Sequence, residues 1–307
     1  MKRILSIFIC TIVASLNLNA QVLETKNWCI SICDMAGDER ENTELVYLKL
    51  KNDSILHISN LDSINRIPLR IGIIQQDSIE IQIEELTIRR AVDNLNKSFA
   101  KLNFVFYIER TDVILSDLGL EDLSVDSYEP YNEFSDKYDE PNLLSIYIFD
   151  HKDEFCEIST TRISCGRTGG FSYILSNRTN NIVLSRFDIS DLKVVAHEMG
   201  HFWGLYHTFE EAQFGKDDFT EGKCNTSGDM ICDTPPDPGT IFEVYVNYST
   251  CELLNLKNEA GIDYKPQIQN YMSYYKPCYL KEYNFTPGQM MVMQTAASLP
   301  MRSKFIR

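Results

Sequence analysis

His197-Glu198-Met199-Gly200-His201 sets two imidazoles four residues apart with a carboxylate between them. On a helix, positions i and i+4 project from one face, so the pair can hold a single zinc ion. Gly204 follows three residues after His201, where a residue without Cβ lets the chain leave the helix sharply and bring His207 round as a third ligand. Three neutral nitrogens leave a fourth position for water, the ligand count of a catalytic site rather than a closed structural one. Zinc lowers the pKa of bound water to about 7, and Glu198 can take the remaining proton and deliver it to a leaving amine. The chemistry expected is hydrolysis of a peptide bond without a covalent intermediate. Histidine is scarce, five in 307 residues, and three of the five fill this pattern, which weighs against helical histidines that only satisfy core hydrogen bonds.

Such a site needs a rigid helix and something to pack it on. The run Ile67 to Ile74 is apolar enough for a strand, and Ile88, Val92, Leu95, Phe99 and Leu102 follow at the spacing of an amphipathic helix. Phe104 to Ile108 and Leu143 to Phe149 are further strand candidates, and the acidic, Tyr-rich stretch from Glu121 to Glu140 between them reads as a solvated loop. Phe171 to Leu175 and Ile182 to Leu184 flank a hairpin-like turn at Ser176-Asn177-Arg178. The histidine-bearing helix is expected to open at a cap between Asp188 and Ser190. Thr286-Pro287-Gly288-Gln289 predicts a capping box for a last helix, whose Met290, Met291, Val292 and Met293 read as core packing. The sum is an α/β (α+β) architecture, a sheet backed by two helices, followed by an irregular C-terminal part.

Composition restricts the context. With 29 Lys+Arg against 44 Asp+Glu the formal charge is −15, which excludes a nonspecific nucleic-acid binder and disfavours an anionic membrane surface. Lys2 and Arg3 precede an apolar run from Ile4 to Leu16 that closes on Ala20, too short to span a bilayer comfortably. Residues 1–20 therefore read as a signal peptide, 21–65 as an N-terminal extension or prosegment, and 66–307 as the catalytic domain of a secreted or periplasmic protein. Of the nine cysteines, Cys10 lies in the signal, leaving Cys29, Cys33, Cys156, Cys165, Cys224, Cys232, Cys251 and Cys278, an even number suited to disulfides in an oxidising compartment. Sequence proximity favours Cys156 with Cys165 and a second cluster formed by the last four.

The extended histidine motif, with Gly228 to Pro235, Asn270-Tyr271-Met272-Ser273-Tyr274 and Phe285 to Gln289, resembles the metzincin metallopeptidases and more narrowly the pappalysin family. That resemblance implies a zincin fold with a twisted mixed sheet, zinc on His197, His201 and His207, Glu198 as general base, Met272 as the Met-turn residue beneath the ligands and Tyr274 as a stabiliser of the tetrahedral intermediate. It suggests calcium on Asp229, Asp233 and Thr234, whose other reading is a plain turn held by Asp side chains. It implies an edge strand at Gly169 to Tyr173 onto which a peptide or protein substrate adds, and a latent form in which Cys29, Cys33 or Asp34 ligates zinc, against ordinary disulfide pairing of those cysteines. Ulilysin-like members carry acids past the Met-turn tyrosine and prefer Arg or Lys after the cut. Here Tyr275-Lys276-Pro277-Cys278 has none, so a basic residue there is not favoured unless another acid, Asp229 or Asp237, lines the pocket. The competing expectation is a catalytically silent binding module on the same fold, which the intact Glu198 opposes.

Overall fold

The computed structural model describes residues 25–28, 46–47, 63–75, 83–118, 128–149, 155–158, 163–210, 224, 228–238, 246–254, 264–275 and 282–307. The expected signal peptide, most of the 21–65 extension including Cys29, Cys33 and Asp34, and Lys276 to Cys278 lie outside them. In chain order the elements are β1 (Thr25–Trp28), β2 (Asn65–Gln75), α1 (Glu85–Ser98), β3 (Phe104–Leu115), α2 (Tyr128–Tyr138), β4 (Leu144–Phe149), β5 (Phe155–Ile158), β6 (Ile163–Thr168), β7 (Gly170–Phe171), β8 (Asn181–Ser185), α3 (Leu192–Phe202), β9 (Val246–Asn247), β10 (Glu252–Leu253), α4 (Pro287–Ala297) and α5 (Pro300–Ser303).

The main sheet has the order β3-β2-β4-β8-β7. Strands β3, β2, β4 and β8 run parallel, and β7 pairs antiparallel with β8 at the edge. Period-2 alternation assigns its two faces. Ile67, Leu69, Ile71 and Ile73, with Leu144, Ile146, Ile148, Ile182 and Leu184, share one core with residues of α1 and α3. Ile74, Tyr147, Phe149 and Val183 share the other with Tyr131 and Phe134 of α2. A strand buried on both faces reads as a near-continuous apolar run, and β2 is buried from Ile67 to Ile74 and apolar there except for Arg70, whose guanidinium pairs with Asp112 at 2.7 Å.

Helix α2 corrects the expectation of a solvated loop between Glu121 and Glu140. Tyr131, Phe134 and Tyr138 recur at spacings of three and four, and the first two are buried. Their aromatic bodies cover the sheet while the acids between them face water. The sheet is therefore covered on both faces, not backed on one. Helix α3 begins at a cap one residue later than the window expected: Asp191 accepts the N–H of Lys193 at 2.8 Å. The capping box of α4 is present as expected. Val292 and Met293 behind it are buried and Met290 packs on the core, but Met291 is exposed.

Strands β1, β6 and β5 make a small separate sheet in which Cys156 stands opposite Cys165 in the backbone register. Cys224 and Cys232 form a disulfide, and Cys251 is disulfide-bonded. Within the expected extension, Val46 is fully buried in the main core.

Candidate metal centre

Helix α3 is buried from Val194 to Phe202, so His197, Glu198 and His201 are all held by packing on a rigid element. Its end is a Schellman turn: Gly204 N–H donates to the His201 carbonyl at 2.8 Å and Leu205 N–H to the Gly200 carbonyl at 3.0 Å. Gly204 has φ +99°, and a Cβ there would also meet Leu175 at 3.1 Å, so glycine is required by both conformation and space. The turn swings His207 back to the helix. The ring centroids of the three histidines lie 4.5, 5.1 and 4.7 Å apart, and their ligand atoms fall within 4.8 Å of one another.

The polar surroundings fix the tautomers. His197 Nδ1 lies 2.8 Å from the Tyr271 carbonyl and His201 Nδ1 lies 2.6 Å from the Leu205 carbonyl. A carbonyl can only accept, so each Nδ1 carries the proton and each Nε2 is an acceptor. Those two Nε2 atoms face one another at 2.9 Å. Burial first, and the neighbouring imidazoles second, hold both histidines well below the ordinary imidazole range, so a proton is a poor bridge between them. Opposed lone pairs on buried neutral imidazoles are a donor set that fits a zinc ion. Glu210 adds a carboxylate 3.6 Å from His207 Nδ1, an electrostatic contact longer than a hydrogen bond.

Glu198 is fully buried beside the sheet edge. A Cβ on Gly170 would come within 3.1 Å of Glu198 Cγ and 2.7 Å of the Val183 carbonyl, so glycine is what lets β7 run along this residue. Tyr274 is half-buried, its ring 5.6 Å from His197 and 4.9 Å from His207, while Phe209 stacks on His207 at 4.6 Å.

Met272 is fully buried below α3, with its N–H on Asn270 Oδ1 at 2.8 Å. A Cβ on Gly200 would stand 2.5 Å from Met272 Sδ, so the glycine inside the histidine motif makes room for the Met272 side chain. Asn270 and Gln289 exchange two side-chain hydrogen bonds, at 2.9 and 3.1 Å, tying that turn to the capping box of α4. Asp233 accepts from the Thr286 hydroxyl and from Gly288 N–H, both at 2.7 Å. Asp229 accepts from Ile231 N–H at 3.0 Å and from the Thr234 hydroxyl at 2.8 Å. Asp229 and Thr234 thus share one turn while Asp233 is directed to the start of α4.

Several supports were invisible to the sequence reading. The Lys193 ammonium donates to the Tyr275 carbonyl, tying the first turn of α3 to the segment past the Met-turn. Arg302, fully buried, donates to the Phe202 carbonyl at 2.8 Å and to the Ser176 carbonyl at 3.1 Å. That places a cation on the C-terminus of α3, where the helix dipole favours it. Asp237 is buried between Thr208 and Tyr275. The only signal for Arg302 was a basic residue in an apolar C-terminal run; Lys193 carried none, and Asp237 stood only as an alternative acid for the substrate pocket, not as a support.

The family profile described as pregnancy-associated plasma protein-A matches residues 176–298. An extracellular metalloprotease of Pyricularia oryzae is 35% identical over 106 residues, 34% of this chain and 29% of that protein. One from Arthroderma gypseum is 37% identical over 102 residues, 33% of this chain and 28% of that protein. One from Arthroderma benhamiae is 25% identical over 230 residues, 69% of this chain and 66% of that protein. The match thus spans under a third of the length of the first two relatives. Among solved structures, metalloproteinase-II from Bacteroides fragilis aligns over 46% of this chain and 43% of that one, at 18% identity and a TM-score of 0.30. The matched stretch contains all four motif segments that meet around the histidines, and over residues 176–298 the chain is similar to the family of pregnancy-associated plasma protein-A.

Proposed function

We propose that the chain is an exported zinc metalloendopeptidase. The observation that carries this is the pair of buried imidazoles with Nε2 atoms 2.9 Å apart and each Nδ1 committed to a carbonyl, next to a fully buried Glu198. His197, His201 and His207 would hold the ion, which when bound supplies a Lewis acid that makes water nucleophilic near neutral pH. Glu198 accepts the proton of that water and returns it to the departing amine. The Tyr274 hydroxyl donates to the oxygen on which charge develops. An extended peptide adds to β7, an edge strand of the main sheet among the described residues, which brings its carbonyl past Glu198.

The relatives' description as extracellular supports export, as does the Cys224–Cys232 disulfide. No helix among the described residues is long and apolar enough to cross a membrane. A prosegment within residues 21–65 is supported by Tyr47, whose hydroxyl donates to the Asp229 carbonyl at 3.2 Å and whose ring stacks on Tyr206 at 6.2 Å. Calcium on Asp229, Asp233 and Thr234 is a separate proposal, and titration of the zinc-loaded protein with Ca2+ tests it through one saturable transition that raises the unfolding temperature. The central test is incubation of the purified protein with a peptide library, with and without a zinc chelator. Fragments that vanish with chelator and return with zinc are expected; chelator-insensitive cleavage, or none, would defeat the proposal.

A further inference from the structure

Asp237 stands outside the motifs from which the site was assembled, and its side chain is fully buried. Its Oδ2 accepts from the Thr208 hydroxyl at 2.6 Å and its Oδ1 from the Tyr275 hydroxyl at 2.8 Å. Each partner is the immediate successor of a site residue, Thr208 of His207 and Tyr275 of Tyr274. The other attachments converge on the same strip. Thr208 N–H donates to the Met272 carbonyl at 3.1 Å, and the Tyr275 carbonyl accepts from Lys193 and, at 3.2 Å, from the Tyr283 hydroxyl. Between the two anchored residues, His207 and Tyr274 meet edge to face at 4.9 Å, with Phe209 against both at 4.6 Å.

Burying a carboxylate costs several kcal/mol unless strong donors compensate, and an apolar side chain would fill the same volume without that cost. What the carboxylate adds is two short, directional, charge-assisted bonds that set the separation of two segments 67 residues apart in the chain, as Thr208 and Tyr275 are. We propose that Asp237 is a positioning residue that holds the third histidine and the Tyr274 ring in register, by gripping the hydroxyl that follows each of them. This rests on the peptidase reading for its kinetic consequence and on the three-histidine site for its metal-binding one. A shift of about 1 Å in a group that must meet a reacting atom costs on the order of a hundredfold in rate, so register there matters more than for a purely structural pair.

Asp237→Asn keeps the volume but leaves only one acceptor oxygen for two hydroxyl donors. It should lower kcat roughly tenfold with KM within about threefold, and weaken zinc affinity, read by chelator competition, by about tenfold. Thr208→Val with Tyr275→Phe removes the donors instead of the acceptor and should give the same pair of losses. Adding Asp237→Asn to that double variant should change either readout by less than about threefold, because the three groups act as one unit. Should Asp237→Asn fail to fold, Tyr275→Phe alone carries the test, with a smaller loss in the same two readouts. The proposal is overturned if kcat and zinc affinity stay within about twofold of the parent in folded variants, or if only the unfolding temperature falls. A parent protein that cleaves no peptide would sink the peptidase reading and leave the zinc-affinity arm to judge Asp237 alone.

Discussion

In the sheet, Ile67, Leu69, Ile71 and Ile73 face α1 and α3, while Ile74 and Val183 face α2, and the chain is held by apolar area on both sides. Between Ile231 and Gln289 the residues that join one segment to the next include the buried Asp237, Asn270 and Gln289 and the exposed Asp233, each bonded to a group far off in sequence. The first region positions Glu198 and two histidines by making a platform too well packed to move. The second positions His207, Met272 and Tyr274 through individual hydrogen bonds, because it has little regular structure to do so. Losses of packing in the first should therefore lower stability and leave chemistry alone, whereas losses of single bonds in the second should reach the site.

The largest effect expected is on the sheet side. Leu95 of α1 is fully buried, and Leu95→Ala should destabilise the fold by about 2–5 kcal/mol in denaturant unfolding while kcat per folded molecule stays near the parent value. A large loss of kcat in the folded fraction would break the contrast between the regions.

One polar group in the sheet half is Asp139, partly buried between the end of α2 and the start of β8. It accepts from Asn180 N–H at 2.7 Å, from the Asn181 amide at 2.9 Å and from the Tyr147 hydroxyl at 3.0 Å. Burial outweighs these bonds and pushes its carboxyl up to about 6. An unfolded Asp titrates near 3.9, so between the two values the folded state binds the proton more tightly. Its contribution is full below about pH 4 and is lost as the pH rises through 6, a span of up to about 3 kcal/mol. Unfolding free energies measured from pH 4 to 7 should slope downward by that much less in Asp139→Asn; identical slopes would exclude Asp139 as the source.

In the irregular region, Asn270→Ala breaks the tie to Gln289 and the bond to Met272 N–H. About 1–3 kcal/mol of stability should be lost, and here kcat of the folded fraction should fall as well. A stability loss with unchanged kcat would make the Met-turn a scaffold like the sheet. The smallest effect belongs to Tyr274→Phe, expected to cut kcat about tenfold with KM unchanged, since in the proposed mechanism the hydroxyl acts mainly in the transition state. A pure KM change would reassign Tyr274 to substrate binding.

The same contrast governs what could be read before the fold was seen. Strands β2 and β4, helix α1 and the histidine helix were legible because period 2 and period 3.6 are local patterns, and the capping box at Thr286 is local too. Helix α2 escaped because Tyr131, Phe134 and Tyr138 sit among acids, and tyrosine counts as polar unless its ring is seen to cover a sheet. Gly200 was visible in the motif, but its purpose depends on Met272, which approaches from 72 residues away. Asp237 and Arg302 act across 29, 38 and 100 residues, separations at which no spacing rule operates. The preference against a basic residue after the cut rests on Lys276, outside the described residues. Of its two alternative acids, Asp237 already accepts from Thr208 and Tyr275, while Asp229 accepts from its own turn.

The most direct test of the account compares the parent with Glu198→Ala for zinc content and for turnover of one cleaved peptide, in the same preparation. On the proposed assignment Glu198 moves a proton and does not bind the ion, so the variant should retain one zinc per chain while losing about 10²- to 10⁴-fold in kcat. Loss of zinc along with activity, or a kcat within about threefold of the parent, would contradict the assignment of the three histidines to the metal and Glu198 to the proton.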